Sequence, residues 1–315
     1  FQKYCTTILN EEINNEQAIY LANYLNQVGT ILYKPSIDSE GKVYIDKKWI
    51  IEKIHLILRG LVELNGEFNN EYLQNVLSKT DIKMEKDIIG LMKDFKIIFE
   101  HPDSEKYIAP LYLPPQPIQA VKLFLDTNII PYRRIQYTGF IHKNVVLNFF
   151  QEYGKLVIKD NLSKDSFYYW KNGLLIKDVN SNDIVMVQFH LGDDYGNASI
   201  DIIKLNNDSS TDFADEIVMY LHKINDGYEI EEMIPKSVSE YIPLSVIHEN
   251  EEKKNWTFLY AGNYYNLGDF KMHLKTKNQM KNIFISYSKQ DLTLVNTFID
   301  HLSALKRDGK ISKWY

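Results

Sequence analysis

Apolar positions in the first 110 residues recur at helical spacing, with short strand-like runs between them. One helix is capped by the pair Asn14-Asn15, and Gly29 ends it in the position after a helix that favours glycine. Asp46 caps the next helix. The pattern predicts helices over residues 47–59, 70–78 and 83–95, and strands over 30–33, 43–45, 96–100 and 106–109. Three helices followed by a β-hairpin is the order of a winged-helix unit.

The charges along the third of these helices indicate whether a winged-helix unit here would bind DNA. In DNA-binding relatives of this arrangement, one helix reads the major groove. Its three lysines are balanced by three acidic residues: Lys83, Lys86 and Lys93 against Glu85, Asp87 and Asp94. The whole chain has a net charge of −6, whereas binding to phosphates requires a local basic excess. We therefore expect a unit that packs against protein, with no nucleic acid partner.

Proline marks the end of the first half. The run LYLPPQP at 111–117 cannot continue a helix or a central strand, which predicts a subdomain boundary. Beyond it, strands bounded by turn residues alternate with helices. The pattern predicts helices over 144–157 and 211–224, and antiparallel strands over 167–177, 183–190 and 199–205. A polar linker at 275–280 precedes KNIFISYSKQD (281–291), which reads as a short apolar strand followed by a helix start.

Composition limits the class of protein. The 315 residues suffice for two or three domains, and 44% of them are hydrophobic, as a folded protein requires. Cys5 is the single cysteine, so the sequence predicts neither an internal disulfide nor a cysteine-based zinc site and suits a reducing cytoplasm. No run of about 18 apolar residues predicts a membrane span, and the first residues resemble no signal peptide. We expect a cytoplasmic protein cut from inside a longer chain.

Two local patterns are typical of catalytic or metal sites. LFLDTNII at 123–130 resembles the opening strand of PIN-type nucleases, in which the aspartate at the position of Asp126 binds a divalent metal. Such cleavage needs several converging carboxylates, and the following stretch reads as mostly antiparallel, so a turn or cap role fits Asp126 better. His190 with Asp193 and Asp194 has the residue types of a metal site, but no third ligand is spaced nearby and an acidic hairpin turn explains them better. No Gly-Lys pair has a glycine five residues earlier, so the sequence contains no P-loop.

The run from Tyr4 to about Tyr241 resembles the COR domain, the module that follows the Roc GTPase in Roco proteins. Asp46 and Trp49 match a Leu-Asp-Pro-x-Trp segment of the family with lysine in place of proline, and Lys171 replaces the arginine of its Trp-Arg-Asn-Gly turn. The chain has NNDSSTDF (206–213) where the family shows a glycine and an arginine. The similar segments stand in the family's order: LANYLNQVGTILY (21–33), KVYIDKKWIIEKIHLIL (42–58), IIGLMKDFKIIFE (88–100), YIAPLYLPPQP (107–117) and FYYWKNGLLIK (167–177).

The last 35 residues resemble the start of a bacterial-type TIR domain. IFISYSKQD (283–291) is similar to its first box, and LTLVNTFIDHLSALKRDGKISKWY (292–315) to its first helix and second strand. The resemblance implies a flavodoxin-like parallel fold, in which Tyr287, Ser288 and Lys289 line an NAD site beyond the strand ends. The glutamate that TIR NAD-cleaving enzymes use lies further along, so no catalytic residue and no metal site is expected in this chain.

The patterns and resemblances together predict an α+β chain. A winged-helix-like COR N-terminal subdomain spans 1–115, an antiparallel-sheet-plus-helix COR C-terminal subdomain spans 116–275, and a truncated flavodoxin-like TIR start spans 279–315. The resemblance implies a dimerisation and coupling module of a Roc-COR-TIR protein in bacterial signalling or immunity. Its implied partners are a second copy, the Roc GTPase and the TIR domain; GTP, Mg²⁺ and NAD belong to the full-length protein and no cofactor to this fragment. NAD⁺ hydrolysis by a completed TIR domain and a passive TIR adaptor stay open as alternatives.

Two further expectations concern assembly. The COR resemblance implies a homodimer interface within residues 118–275. Aromatic residues are enriched in the centres of interfaces, so seven of them are candidates for this surface, although most could equally be buried within the subunit. The predicted helix over 292–306 carries an apolar stripe that needs a full sheet beneath it, so we expect this end to be poorly ordered or to lean on the COR half. The aromatic set is Phe149, Phe150, Tyr153, Phe167, Tyr168, Tyr169 and Trp170, and the stripe is Leu294, Val295, Phe298, Ile299, Leu302 and Leu305.

Overall fold

The computed structural model describes residues 1–35, 41–77, 82–100, 105–125, 129–159, 167–192, 197–205, 212–271, 281–284 and 311–314. The chain divides into two compact units, Phe1–Leu113 and Pro114–Tyr315. Among the described residues, no helix is both long and apolar enough to cross a membrane.

The first unit combines helices with two small antiparallel sheets. Strands β1 and β2 pair with each other, and β3, β5 and β4 form a three-stranded sheet in that order. A short 3-10 helix, Pro110–Tyr112, follows the last strand. The elements in chain order are α1 (Gln2–Leu9), α2 (Asn15–Gln27), β1 (Leu32–Lys34), β2 (Lys42–Tyr44), α3 (Lys47–Arg59), β3 (Glu67–Phe68), α4 (Asn70–Val76), α5 (Ile82–Asp94), β4 (Phe99–Glu100) and β5 (Tyr107–Ile108).

Local capping explains where α2 and α3 begin. The Asn14 side chain accepts a hydrogen bond from the Gln17 amide at 2.9 Å, and the Gln17 side chain accepts one from the Asn14 amide at 2.9 Å. Asp46 accepts from the Trp49 amide at 3.0 Å. Gly29 adopts a φ of +73°, which an L side chain rarely does. The caps and the glycine stop predicted from the sequence are confirmed.

The core of the first unit lies between α3, α4 and α5. Its buried members lie in these helices and the small sheet or directly beside their ends: Ile57, Leu61, Phe68, Leu77, Ile88, Met92, Ile98 and Ala109. The predicted hairpin forms, but β4 and β5 are shorter than expected, and β3 joins them from the segment between α3 and α4. Two residues are too few for a strand to show in an alternation pattern. The winged-helix assignment stays a prediction.

The second unit is organised around a seven-stranded sheet of order β12-β11-β6-β10-β9-β8-β7, in which all neighbours are antiparallel. The first part of the chain order is α6 (Gln119–Leu125), β6 (Arg133–Tyr137), α7 (Lys143–Tyr153), β7 (Tyr169–Trp170), β8 (Gly173–Lys177), β9 (Ile184–His190) and β10 (Ser199–Lys204). The rest is α8 (Asp212–Ile224), β11 (Ile230–Pro235), β12 (Tyr241–Pro243), α9 (Leu244–Glu252), β13 (Thr257–Tyr260) and β14 (Asn263–Asn266). Short 3-10 helices follow α7 and β14, at Gly154–Leu156 and Leu267–Phe270.

Two sequence predictions are wrong in this unit. The strand predicted over 167–177 is a hairpin, because residues 171–172 turn between β7 and β8. A Cβ on Gly173 would lie 2.3 Å from Cζ2 of Trp170, so the indole packs where a side chain would otherwise stand. The apolar stretch read as a PIN-type strand is helical up to Leu125. That removes the structural basis of the nuclease alternative; Asp126 itself lies outside the described residues.

The aromatic residues expected at a homodimer surface lie mainly inside the unit. Phe149 is fully buried and its ring centroid lies 5.5 Å from that of Phe189 on β9, so α7 packs on one face of the sheet. Trp170 is 1% exposed and joins Val121, Met186 and Ile203 in a cluster at the opposite face. Six of the seven residues are buried, and Tyr168 is partly buried and packs against that cluster. These side chains stabilise the fold rather than offering a surface.

The last described strands form a parallel pair. The strand β15 (Lys281–Phe284) pairs with β16 (Ile311–Trp314), with Lys281 opposite Ile311 and Phe284 opposite Trp314. The expected strands near 283–286 and 311–315 are therefore present with slightly different bounds. The expected helix over 292–306 falls outside the described residues.

Candidate functional site

Two adjacent arginines lie on an interior strand of the seven-stranded sheet. Strand β6 lies between β10 and β11, and it carries Arg133 and Arg134 in succession. Successive side chains of a strand point to opposite faces, so the two guanidinium groups lie on opposite sides of the same sheet. Ile135 and Tyr137 share the face of Arg133, which is the buried face.

Arg133 is held on the helical face of the sheet. Its Nε donates to Oε1 of Glu232 on β11 at 2.8 Å, and its Nη1 donates to the carbonyl of Tyr132 at 3.2 Å. Nε2 of His222, near the end of α8, lies 3.1 Å from Oε2 of the same glutamate. Because Arg133 is only 1% exposed, this charge depends on Glu232 in place of water.

Arg134 forms the equivalent arrangement on the opposite face. Its Nε and Nη2 donate to the two oxygens of Asp201 on β10 at 2.7 and 2.8 Å, which is the two-pronged geometry that favours Arg over Lys. Nε2 of His190 on β9 lies 3.0 Å from Oδ2 of Asp201. The guanidinium carbon stacks 3.9 Å from the ring centroid of Tyr241 on β12.

The electrostatics of both clusters favour ionised carboxylates. Burial alone raises the pKa of Asp201, but hydrogen bonds from Arg134 and His190 outweigh it and hold the pKa below its usual value. Burial likewise opposes ionisation of Glu232, and His222 and Arg133 together lower its pKa. Tyrosine pKa values that depart from the usual value are raised. In the first unit, burial together with Asp87 and Asp94 raises the pKa of Tyr44 to about 12.

This arrangement is suited to holding strands together. The two carboxylates accept from donors on β6 and on a third element, so each cluster ties together parts of the chain far apart in sequence. The resolved pKa shifts move these acids and tyrosines away from neutral pH, whereas a general acid or base works best near it. Among the residues that the structure describes, no group of three or more His, Cys, Asp and Glu side chains could hold a metal ion.

The first unit presents a different charged surface. On α5, Asp87 pairs with Lys42, Asp94 pairs with Lys34, and Lys93 pairs with Glu100. Beside α5 lies a groove of about 380 Å³ between α4, α5 and β5. Its lining combines Leu73, Ile89, Gly90 and Tyr107 with charged residues of α5. The pairing found here agrees with the balanced charge read from the sequence.

The residues singled out in the sequence have different outcomes. Tyr287, Ser288 and Lys289, proposed to face NAD, lie outside the described residues, as do Asp193 and Asp194. His190 is described, and its ring nitrogen contacts Asp201, so it belongs to the Arg134 cluster.

The sequence reading missed β6 and both arginine clusters. The alternation of Arg133, Ile135 and Tyr137 is the signal that could have revealed a strand. The carboxylate partners could not have been found in the same way, since Glu232 is 99 positions from Arg133 and Asp201 is 67 positions from Arg134.

Comparison with known proteins gives a family match over the first unit. Residues 1–113 match the family model described as "C-terminal of Roc, COR-A domain", which supports a COR-A domain of Roco proteins over that part of the chain. One solved structure with which the chain aligns is Roco2 RocCORdC of Methanosarcina barkeri bound to GDP, at 23% identity and a TM-score of 0.30. The alignment covers 36% of this chain and 38% of that one. A search of curated proteins found no match.

Proposed function

We propose that this chain is the dimerisation and coupling module of a Roc-COR-TIR protein, which links a Roc GTPase to a TIR effector in bacterial signalling or immunity. The observation that carries the proposal is the match of residues 1–113 to the COR-A family model. A COR domain takes its name from its place after Roc, so the implied partner is a GTPase domain of the same protein.

The second unit supports a mechanical role. Its interior strand β6 is tied to both neighbours by Arg–carboxylate contacts, to β11 through Glu232 and to β10 through Asp201. Interiors of this kind transmit displacement because they are closely packed and resist deformation. A rigid sheet between a GTPase and an effector can pass on a change of nucleotide as a movement of whole elements.

Two measurements test this proposal. Light scattering on the 1–315 chain at micromolar concentration should give twice the monomer mass of 37.0 kDa. In the full-length protein, exchanging GDP for a non-hydrolysable GTP analogue should change amide hydrogen exchange within residues 1–271. A monomer at every concentration would contradict dimerisation through COR, and identical exchange in the two nucleotide states would contradict coupling.

NAD⁺ cleavage by a completed TIR domain is the second candidate activity. It is favoured by the parallel pairing of β15 with β16, because parallel strands are what a flavodoxin-like fold requires. Tyr287, Ser288 and Lys289 would then line the nucleotide site. We expect nicotinamide release from a protein extended through the whole TIR domain and none from residues 1–315. Turnover by residues 1–315 would place the chemistry elsewhere, and an inactive extended dimer would favour a passive adaptor.

A further inference from the structure

The hairpin formed by β13 and β14 has one buried and one exposed apolar face. Phe258 and Tyr265 oppose each other across the hairpin and are 5% and 6% exposed, because they belong to a core cluster with Ile247 and Phe270. The next pair, Leu259 opposite Tyr264, alternates to the other face and is 59% and 78% exposed.

Trp256 is a third exposed apolar residue beside the hairpin. It directly precedes β13 and is 65% exposed. Its backbone carbonyl accepts a hydrogen bond from the amide of Leu267 at 2.8 Å, which anchors the backbone there. Large apolar side chains grouped on one structured element are typical of a contact surface rather than of scattered surface residues. We name Trp256, Leu259 and Tyr264 the hairpin surface.

Charge distinguishes the region of the hairpin surface from the chain that follows. Residues 229–271, which include α9 and the hairpin, contain eight Asp and Glu residues against four lysines. Residues 272–315 contain eight Lys and Arg residues against three aspartates. The acidic region and the basic segment are thus electrostatically complementary, although the whole chain is acidic.

Chain continuity brings the two together. Only residues 272–280 separate Lys271, at the end of the described part of the unit, from β15. A short linker holds its two ends at an effective concentration in the millimolar range, so even a weak contact becomes populated. The segment also carries the apolar stripe that the sequence predicts on residues 292–306. Two strands are too few to bury such a stripe.

We propose that the hairpin surface is the docking site for residues 292–313 of the same chain. Leu259 and Tyr264 would contact the apolar stripe, and the acidic residues around α9 would attract the basic residues that follow it. The inference goes beyond the proposed function, because it holds whether or not the C-terminal segment completes a TIR domain, and whether or not the protein dimerises.

Hydrogen exchange on the intact 1–315 chain tests the contact. The variant Leu259→Ser/Tyr264→Ser should exchange peptides within 292–306 at least about tenfold faster than the parent chain, since docking is the source of their protection. The matched control is Phe140→Ser/Val179→Ser, which alters two residues that are 65% and 78% exposed elsewhere in the unit. It should leave that exchange unchanged, and raising the salt concentration to about 500 mM should partly reproduce the docking variant, because salt screens charges beyond a few ångströms.

A second experiment identifies the occupant by cross-linking, with a single residue on each side of the contact replaced by cysteine. In a Cys5→Ala background, Tyr264→Cys combined with Phe298→Cys should form a disulfide within one chain under mild oxidation, because docking brings the two thiols together. Val179→Cys with Phe298→Cys is the control and should cross-link at least about tenfold more slowly. Disulfides between two chains would assign the hairpin surface to a second copy and overturn the proposal, as would equal exchange in the parent chain and the docking variant. Light scattering on the same samples reports dimerisation separately.

Discussion

The two units place oppositely charged side chains in contrasting surroundings. In the first unit, the Lys34–Asp94 pair has side chains that are 42% and 47% exposed, and Lys93–Glu100 is similarly open to water. In the second unit, the side chains of Arg133 and Glu232 are 2% and 17% exposed. Exposed pairs contribute about 0–1 kcal/mol because water and salt screen them. Removing one partner of a buried pair destabilises the fold far more, since the remaining charge is left without water or a partner.

The two units differ in how far their stability depends on ion pairs. On α5 the ion pairs balance the surface of a helix that is already held by its apolar core, so they are individually dispensable. Around β6 the ion pairs add side-chain contacts between strands that backbone pairing already joins, so loss of one partner would leave a charge inside the sheet. The following predictions test this difference, and hydrogen exchange of peptides from each unit reports the stability of that unit separately.

The largest effect is expected for removal of a buried partner. Arg133→Ala should lower the free energy of unfolding of the second unit by about 3–5 kcal/mol, because Glu232 would remain buried and charged. The matched surface variant Lys93→Ala should lower that of the first unit by no more than about 1 kcal/mol. Urea unfolding monitored by hydrogen exchange measures both. Equal effects of the two variants would contradict the comparison.

Backbone crowding in the same sheet should have the next largest effect. A Cβ at Gly173 would lie 2.3 Å from the Trp170 ring and 2.7 Å from the carbonyl oxygen of Val187. Gly173→Ala should therefore destabilise the second unit by about 1–3 kcal/mol, as overpacking does. Gly139→Ala is the control, because nothing lies within 4 Å of its Cβ position. If Gly173→Ala were as stable as the control, the β7–β8 turn would not be as tight as described.

Acid should weaken the second unit through its two lowered carboxylate pKa values. A carboxyl group with a pKa lower in the folded than in the unfolded state stabilises the fold above its unfolded pKa of about 4. That stabilisation is lost as the pH falls through the folded pKa of Asp201 and Glu232. Unfolding free energies measured from pH 7 down to pH 2 should decrease most steeply below about pH 4. The variant Asp201→Asn should have a shallower acid slope, and an unchanged slope would exclude this carboxylate as a cause.

The smallest effect is expected at a helix cap of the first unit. Asp46→Ala removes the acceptor for the Trp49 amide and should cost about 1 kcal/mol. Lys48→Ala, two positions away on the exposed side of the same helix, should change stability by less than about 0.5 kcal/mol. Thermal unfolding of both variants, with exchange in α3 peptides, measures the difference. A cap variant as stable as Lys48→Ala would show that packing alone fixes the start of α3.

The local features of this protein follow from its sequence. The Asn14 and Asp46 caps, the stop at Gly29 and the strands β9 and β10 were all predicted, because each depends on residues within a few positions of one another. Capping hydrogen bonds, and the turn residues that bound these two strands, act over a few neighbouring positions of the chain. They do not depend on what the element later packs against.

The tertiary structure alone decided which strands lie next to each other in the sheet and which charged side chains meet. Arg133 and Arg134 find carboxylates 99 and 67 positions away, and no local pattern records such a pairing. The location of the aromatic residues was not predictable for the same reason. Their clustering in the sequence suggested an interface, whereas packing such as that of α7 against β9 buries them inside the unit. An aromatic side chain gains free energy by leaving water in either place. Which place it takes is decided by the elements that reach it first within the fold, and these come from distant parts of the chain.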